Sequence, residues 1–95
     1  MPTDPEDPTC TVPGGIEVET RRVMENLKLV LNGLDSGFDR VAFARVYLVN
    51  FQDFPVMNKI YESYFSPDKL PARTCIGVTG LAVGALVEID LIAVR

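Results

Sequence analysis

An arginine set into an otherwise apolar strand and a glutamate set into another are the side chains of this sequence best suited to chemistry. The first is Arg73 in "LPARTCIGV", residues 70–78; the second is Glu88 in "ALVEIDLIAV", residues 85–94. A guanidinium offers a planar fork that matches a carboxylate bidentately, which an ammonium cannot do. A carboxylate can orient or deprotonate a water. Pro71 suits a strand's first position, where the missing N–H costs no ladder bond. Alternation then puts Ala72, Thr74, Ile76 and Val78 on one face, apolar enough to be core, and Arg73, Cys75 and Gly77 on the other. If the last two strands pair through the short "TGLAVG" connection, Glu88 shares the face of Arg73.

Each of these residues also has a plainer reading. Arg73 could serve a surface ion pair, and with Glu88 it could form a cross-strand pair contributing tenths of a kcal/mol to about 1 kcal/mol. Cys75 reads by side chain as a small buried hydrophobe, because no histidine or cation other than Arg73 stands near it to activate a thiol. Its backbone N–H and C=O lie beside the guanidinium and could bind a polar atom of a ligand. Phe54 and Asn58 are one helical turn apart and share a helix face, as a core aromatic with a solvent-facing amide or as the wall of a site. Tyr47, Tyr61 and Tyr64 are most simply core or interface aromatics.

Other chemistries are excluded by composition. The 95 residues contain no histidine, so no histidine-based triad or shuttle is available. Cys10 and Cys75 do not stand at metal-ligand or redox spacing, so neither a metal nor a cofactor is implied. The net charge is −4 and the nine Lys and Arg are scattered, which argues against nucleic acid and against an anionic membrane surface. The apolar run of residues 76–94 is broken by Glu88, Asp90 and three glycines and alternates as a hairpin would, unlike a membrane span. An acidic, proline-rich start, "MPTDPEDPTC", is the opposite of a targeting peptide, and the expected setting is the reducing cytoplasm.

The elements that must position these residues are legible in outline. Residues 1–15 hold four of the seven prolines and the pair Gly14-Gly15, and read as an N-terminal loop. Residues 16–95 read as a single domain. "IEVETRRVMENLKLVLNGLDSG" carries Val23, Leu27, Val30 and Leu34, flanked by Met24 and Leu31, at helical spacing. Glu17 and Glu19 fall early, where the helix dipole favours acids. "DRVAFARVYLVNF" reads as a strand. Asp53 suits an N-cap with Pro55 in the first turn, opening a second helix with Phe54, Met57, Tyr61 and Tyr64 in register. Two strands follow, at residues 72–78 and about 85–94. The order loop-α-β-α-β-β is that of an α+β domain with a thin sheet whose edges invite pairing with another chain.

Three stretches together resemble the RidA/YjgF family of reactive-intermediate (enamine/imine) deaminases. They are "GGIEVETRRVMENLKLVL", "VYLVNFQDFPVMNKIYESYF" and "PARTCIGVTGLAVGALVEIDLIAV". The resemblance covers nearly the whole chain, and the Pro-Ala-Arg strand followed by the Val-Glu-Ile strand is its most specific part. It implies a fold like the bacillus-type chorismate mutase: a mixed sheet backed by two helices, assembled as a homotrimer with ligand clefts between subunits. It implies hydrolysis of 2-aminoacrylate and related 2-imino acids to 2-keto acids and ammonia, without cofactor. Carried over, Arg73 holds the substrate carboxylate, the backbone at Cys75 contacts substrate, Glu88 positions the attacking water, and Asn58 and Phe54 belong to the cleft wall. Two other activities fit the same resemblance: non-catalytic binding of keto acids or other small carboxylates and, more weakly given the charge, ribonuclease activity. The family usually opens with a β-hairpin carrying a pocket tyrosine; "MPTDP" resembles the loop after it, so that hairpin is expected to be absent here. "GLAVG" replaces a more usual Leu-Pro turn.

Overall fold

β1 (Val41–Leu48) is the centre of the molecule. In the computed structural model, which describes residues 15–94, it pairs in parallel with β2 (Ala72–Gly77) on one side and antiparallel with β3 (Val87–Ala93) on the other. The sheet order is β2-β1-β3. α1 (Gly15–Gly33) precedes β1, and α2 (Phe54–Glu62) connects β1 to β2. The order α-β-α-β-β, the mixed sheet and the two backing helices agree with the sequence reading. Two expectations change at once. The last two strands do not pair, because β1 lies between them. Gly15, expected to end the loop, opens α1 at φ 78°, a conformation that glycine adopts without strain. The rest of the expected loop, Cys10 included, lies outside the described residues.

Alternation along β1 sorts the sheet into two faces. Ala44, Val46 and Leu48 are fully buried and pack with Val23, Met24 and Leu31 of α1, Met57 and Tyr61 of α2, and Val87 and Ile89 of β3. A bulge between Val41 and Phe43 keeps Val41 opposite Ala93 on this helix side. The other face carries Phe43, Arg45 and Tyr47 of β1, Thr74 and Ile76 of β2, and Glu88, Asp90 and Ile92 of β3. No element of the described chain forms a second layer over it. Here the sequence reading is corrected: Ala72, Thr74 and Ile76, expected as core, are exposed, and it is Arg73 and Cys75 that turn toward the helices.

The apolar stripe of α1 is also rotated from the one expected. Thr20, Val23, Met24 and Leu31 are buried and Leu27 is partly buried, whereas Val30 and Leu34 are at least half exposed. Those two border an open apolar groove of about 490 Å³ between α1 and β3. α2 starts as expected after Asp53, with a proline in its first turn, but the Asp53 side chain caps nothing. The nearby side-chain bond is made by Asn50, which accepts from the Gln52 N–H. No helix among the described residues is long and apolar enough to cross a membrane.

The turn that follows α2 is tied to α1 by Tyr64, whose hydroxyl donates to Glu25 Oε2 at 2.6 Å. Burial, and then the bond to Glu25, push the Tyr64 phenol up to about 12. A phenol protonated more tightly in the folded state contributes its full share of stability below the unfolded tyrosine value of about 10, and loses it as pH rises through the folded value. Wild-type unfolding free energy, measured by denaturant titration, is therefore expected to fall between about pH 10 and the folded value by more than that of Tyr64→Phe. Parallel curves for the two proteins would show that folding does not hold the Tyr64 phenol above its ordinary value.

Candidate active site

α2 presents Phe54, Asn58 and Tyr61 along one stripe, spaced as successive turns require. Arg73 reaches this stripe from β2, the parallel neighbour of β1, where it stands opposite Ala44. Its guanidinium carbon lies 5.4 Å from the centre of the Phe54 ring and 4.9 Å from that of Tyr61. Arg73 Nη1 donates to Asn58 Oδ1 in a short bond. One face of α2 thus holds the cation with two aromatic rings and an amide. Cation–π contacts of this kind contribute about 0.5–2 kcal/mol each, more as the site is desolvated.

Among the described residues the Arg73 guanidinium has no carboxylate partner. Ion pairs among the described residues join Arg21 to Glu17 at 3.8 Å and Arg45 to Asp90 at 3.1 Å. A guanidinium carries five N–H donors, and Asn58 is the sole hydrogen-bond acceptor it finds among the described residues. The remaining N–H donors of a half-buried, oriented guanidinium match the planar fork geometry of a small carboxylate. The cross-strand arginine–acid pair considered for Arg73 and Glu88 does exist in the sheet, but between Arg45 and Asp90. They stand opposite in the β1–β3 register, and Arg45 Nε and Nη2 donate to the two Asp90 oxygens.

Cys75 follows two residues along β2, partly buried against the core. Burial pushes its thiol up, and the opposing pull of Arg73 is the smaller effect. At neutral pH it is therefore the protonated, weakly nucleophilic form. Burial likewise raises the Tyr61 phenol against the pull of Arg73, and its buried hydroxyl has no hydrogen-bond partner among the described residues. Tyr61, read from sequence as core, is also the second platform for the guanidinium; its spacing three residues after Asn58 was the available signal. A further aromatic contact was not foreseen: Phe51 stacks on Phe54 with centres 5.5 Å apart and lies over Gly77 at the end of the same β2 row.

Glu88 is the residue that the structure does not bring to this group. It stands opposite Tyr47 on the open face, whereas Arg73 lies on the helix face. The expectation of a shared face rested on pairing the last two strands, and the interposed β1 removes it. Two open concavities of the single chain lie elsewhere. One, about 540 Å³, runs between α1 and α2 past Glu17, Arg21 and Lys59; the other is the apolar groove beside β3. Neither includes Arg73, Asn58, Cys75 or Glu88.

A small mixed sheet backed by two helices, with an arginine of its edge strand held by the connecting helix, defines the class of fold. The sequence profile of the family described as Endoribonuclease L-PSP matches residues 1–95. A Drosophila melanogaster protein, the RutC family protein UK114, is 41% identical over 88 residues, covering 93% of this chain and 63% of that protein. The mouse 2-iminobutanoate/2-iminopropanoate deaminase is 38% identical, covering 88% of this chain and 62% of its own length. The crystal structure of Escherichia coli TdcF with bound serine superposes with a TM-score of 0.87 at 25% identity, covering 99% of this chain and 74% of that one. The chain belongs to the RidA/YjgF family. It spans less than two thirds of the length of the Drosophila and mouse relatives.

The cradle makes the guanidinium's contribution separable from its charge. A hydrogen bond to a charged group contributes about 1.5–3 kcal/mol, so Arg73→Ala should weaken any binding of a small carboxylate by an order of magnitude or more. Arg73→Lys should not restore it, because a point charge lacks the fork. Calorimetric titration with pyruvate checks both, and unchanged affinity in Arg73→Ala would remove the site.

Proposed function

We propose that this protein hydrolyses short 2-imino acids, the tautomers of 2-aminoacrylate and its homologues, to 2-keto acids and ammonia. The observation that carries the reading is the oriented Arg73 guanidinium, which meets no counter-charge among the described residues. Two relatives support the ligand class: a mouse homologue named as a deaminase of such imines, and an E. coli homologue holding serine, an amino acid with the same carboxylate. Imine hydrolysis asks little of a protein. The protonated C=N carbon is already electrophilic, so a fixed carboxylate and a polarised water supply most of what is needed. Arg73 would hold the carboxylate, with Phe54 and Asn58 keeping the guanidinium in place and the Cys75 backbone touching substrate. Glu88 would take a proton from the water as its oxygen bonds to C2. The resulting carbinolamine expels ammonia as the C2–N bond breaks and the C=O forms.

Because Arg73 and Glu88 lie on opposite faces, a site that uses both requires two copies of the chain. The proposed assembly is a homotrimer in which Glu88, on the open face of one protomer, meets the β2 edge of the next. The exposed Ile76 and Ile92 on that face would be covered in the same step. A cytoplasmic setting, where pyridoxal-phosphate enzymes release such imines, suits the reaction. The rival reading, small-carboxylate binding without turnover, uses the same guanidinium and is separated by assay. An RNA substrate is poorly matched to a chain of net charge −4.

Two measurements test this reading. Light scattering in dilute solution should give the mass of a trimer, and a stable monomer would dismantle the proposed cleft. Glu88→Gln should keep pyruvate binding while deaminase turnover, with 2-aminoacrylate supplied by a coupled lyase, falls by about a hundredfold or more. Mixing Arg73→Ala and Glu88→Gln protomers should recover activity, since a hybrid assembly contains sites with both residues intact. Full turnover in Glu88→Gln would leave only the binding reading.

A further inference from the structure

Glu19 is a carboxylate that the proposed chemistry does not use, yet it is only 5% exposed. Its Oε1 accepts from the Leu86 N–H at 2.9 Å, reaching from α1 to the residue immediately before β3. The Leu86 carbonyl accepts in turn from the Val49 N–H at 3.1 Å, just past the end of β1. Both backbone groups of Leu86 are therefore held, one by the residue that follows the central strand and one by a helix side chain. No cation offsets Glu19 among the described residues, whose ion pairs are Arg21–Glu17 and Arg45–Asp90. Burying a carboxylate against a single amide is a poor way to add stability alone, because the desolvation of the charge opposes it.

The chain that Glu19 captures arrives from an unfavourable turn. Val83 and Gly84 both have positive φ, 52° and 69°, and for a β-branched residue that region is disfavoured. The turn closes with the Ala85 N–H donating to the Ala82 carbonyl, after which Ala85 and Val87 are buried on either side of Leu86. Glu88 comes next, two residues beyond the captured amide and on the open face. We propose that Glu19 is a positioning residue for Glu88. By fixing the height and register at which β3 begins, it sets where the Glu88 carboxylate stands toward the neighbouring protomer. This rests on the reading of Glu88 as the group that activates water.

The test compares Glu19→Ala, Glu19→Asp and Glu19→Gln with Glu88→Gln. Deaminase turnover, pyruvate affinity and amide hydrogen exchange at Leu86 are the readouts. Glu19→Ala and Glu19→Asp, whose arm is one methylene short, should lose turnover by about 10- to 100-fold, the scale on which misplacement of a reacting group acts. Leu86 exchange should speed up in both, and pyruvate affinity should stay within about twofold, because its guanidinium is held by α2. Glu19→Gln retains an acceptor oxygen and should recover most of the turnover, which general destabilisation would not explain. If Glu19→Ala does not fold, the Asp and Gln variants carry the comparison. Wild-type turnover in the Ala or Asp variant, pyruvate affinity lost in parallel with turnover, or a Gln variant as slow as Asp would each overturn the proposal. Slow Glu88→Gln with normal Glu19 variants removes the role of Glu19 alone, whereas normal Glu88→Gln removes the reading beneath it.

Discussion

The constraint on which this structure depends is that one strand, β1, pairs with both others. A strand's side chains alternate strictly, so the parity of β1 dictates which residues of β2 and β3 face the helices. Ala44, Val46 and Leu48 face inward, and their register partners Arg73, Cys75 and Gly77 must do the same. On the antiparallel side the partners of the same row are Leu91, Ile89 and Val87, which leaves Glu88 and Asp90 on the opposite face. A one-residue slip of β2 would exchange Arg73 for Thr74 under α2. The burial of Val46 and Leu48 therefore protects the placement of the cation as much as it protects the core.

An arginine on the helix side of a sheet would ordinarily be a liability, since a charge there needs compensation. Here the compensation is divided. The edge position of β2 leaves Arg73 half exposed, and α2 supplies two ring faces and an amide oxygen. None of these partners is charged, so among the described residues the guanidinium is oriented without being neutralised. The cradle comes from one helix, whose own place is set by the burial of Met57, Ile60 and Tyr61. The geometry of the guanidinium cradle thus follows from packing, with its position given by a helix and a strand rather than by a loop.

The sequence showed the elements and their order well, because each has a periodic pattern and punctuation at its ends. Phe54 and Asn58 were legible as sharing a face because helical spacing is local. What local patterns cannot supply is strand order. The sequence "TGLAVG" suggested a hairpin, but β3 joins the far side of β1, and with that Glu88 changes face. The apolar row Ala72, Thr74, Ile76 has the composition of a core face, yet its pairing with Phe43, Arg45 and Tyr47 of β1 puts it on the open side of the sheet. Glu19 was legible only as an early helix acid suited to the dipole; its capture of Leu86, 67 positions away, depends on tertiary contact. Val30 and Leu34 fit the helical period as well as Leu31 does, and only the limited width of the sheet leaves them uncovered.

The separation of Arg73 from Glu88 has a chemical consequence. Arg45 and Asp90 show what happens when an arginine and an acid meet on one face of this sheet: two hydrogen bonds form, and both charges are occupied. Had Glu88 shared the face of Arg73, the same pairing would compete with any carboxylate ligand for the guanidinium fork. On opposite faces of one chain neither can occupy the other, and each remains available. In the proposed assembly they would meet only across a subunit boundary, with their distance set by rigid-body packing instead of by side-chain reach. A gap wide enough for a small carboxylate and a water could then persist where two flexible side chains in one chain would close it.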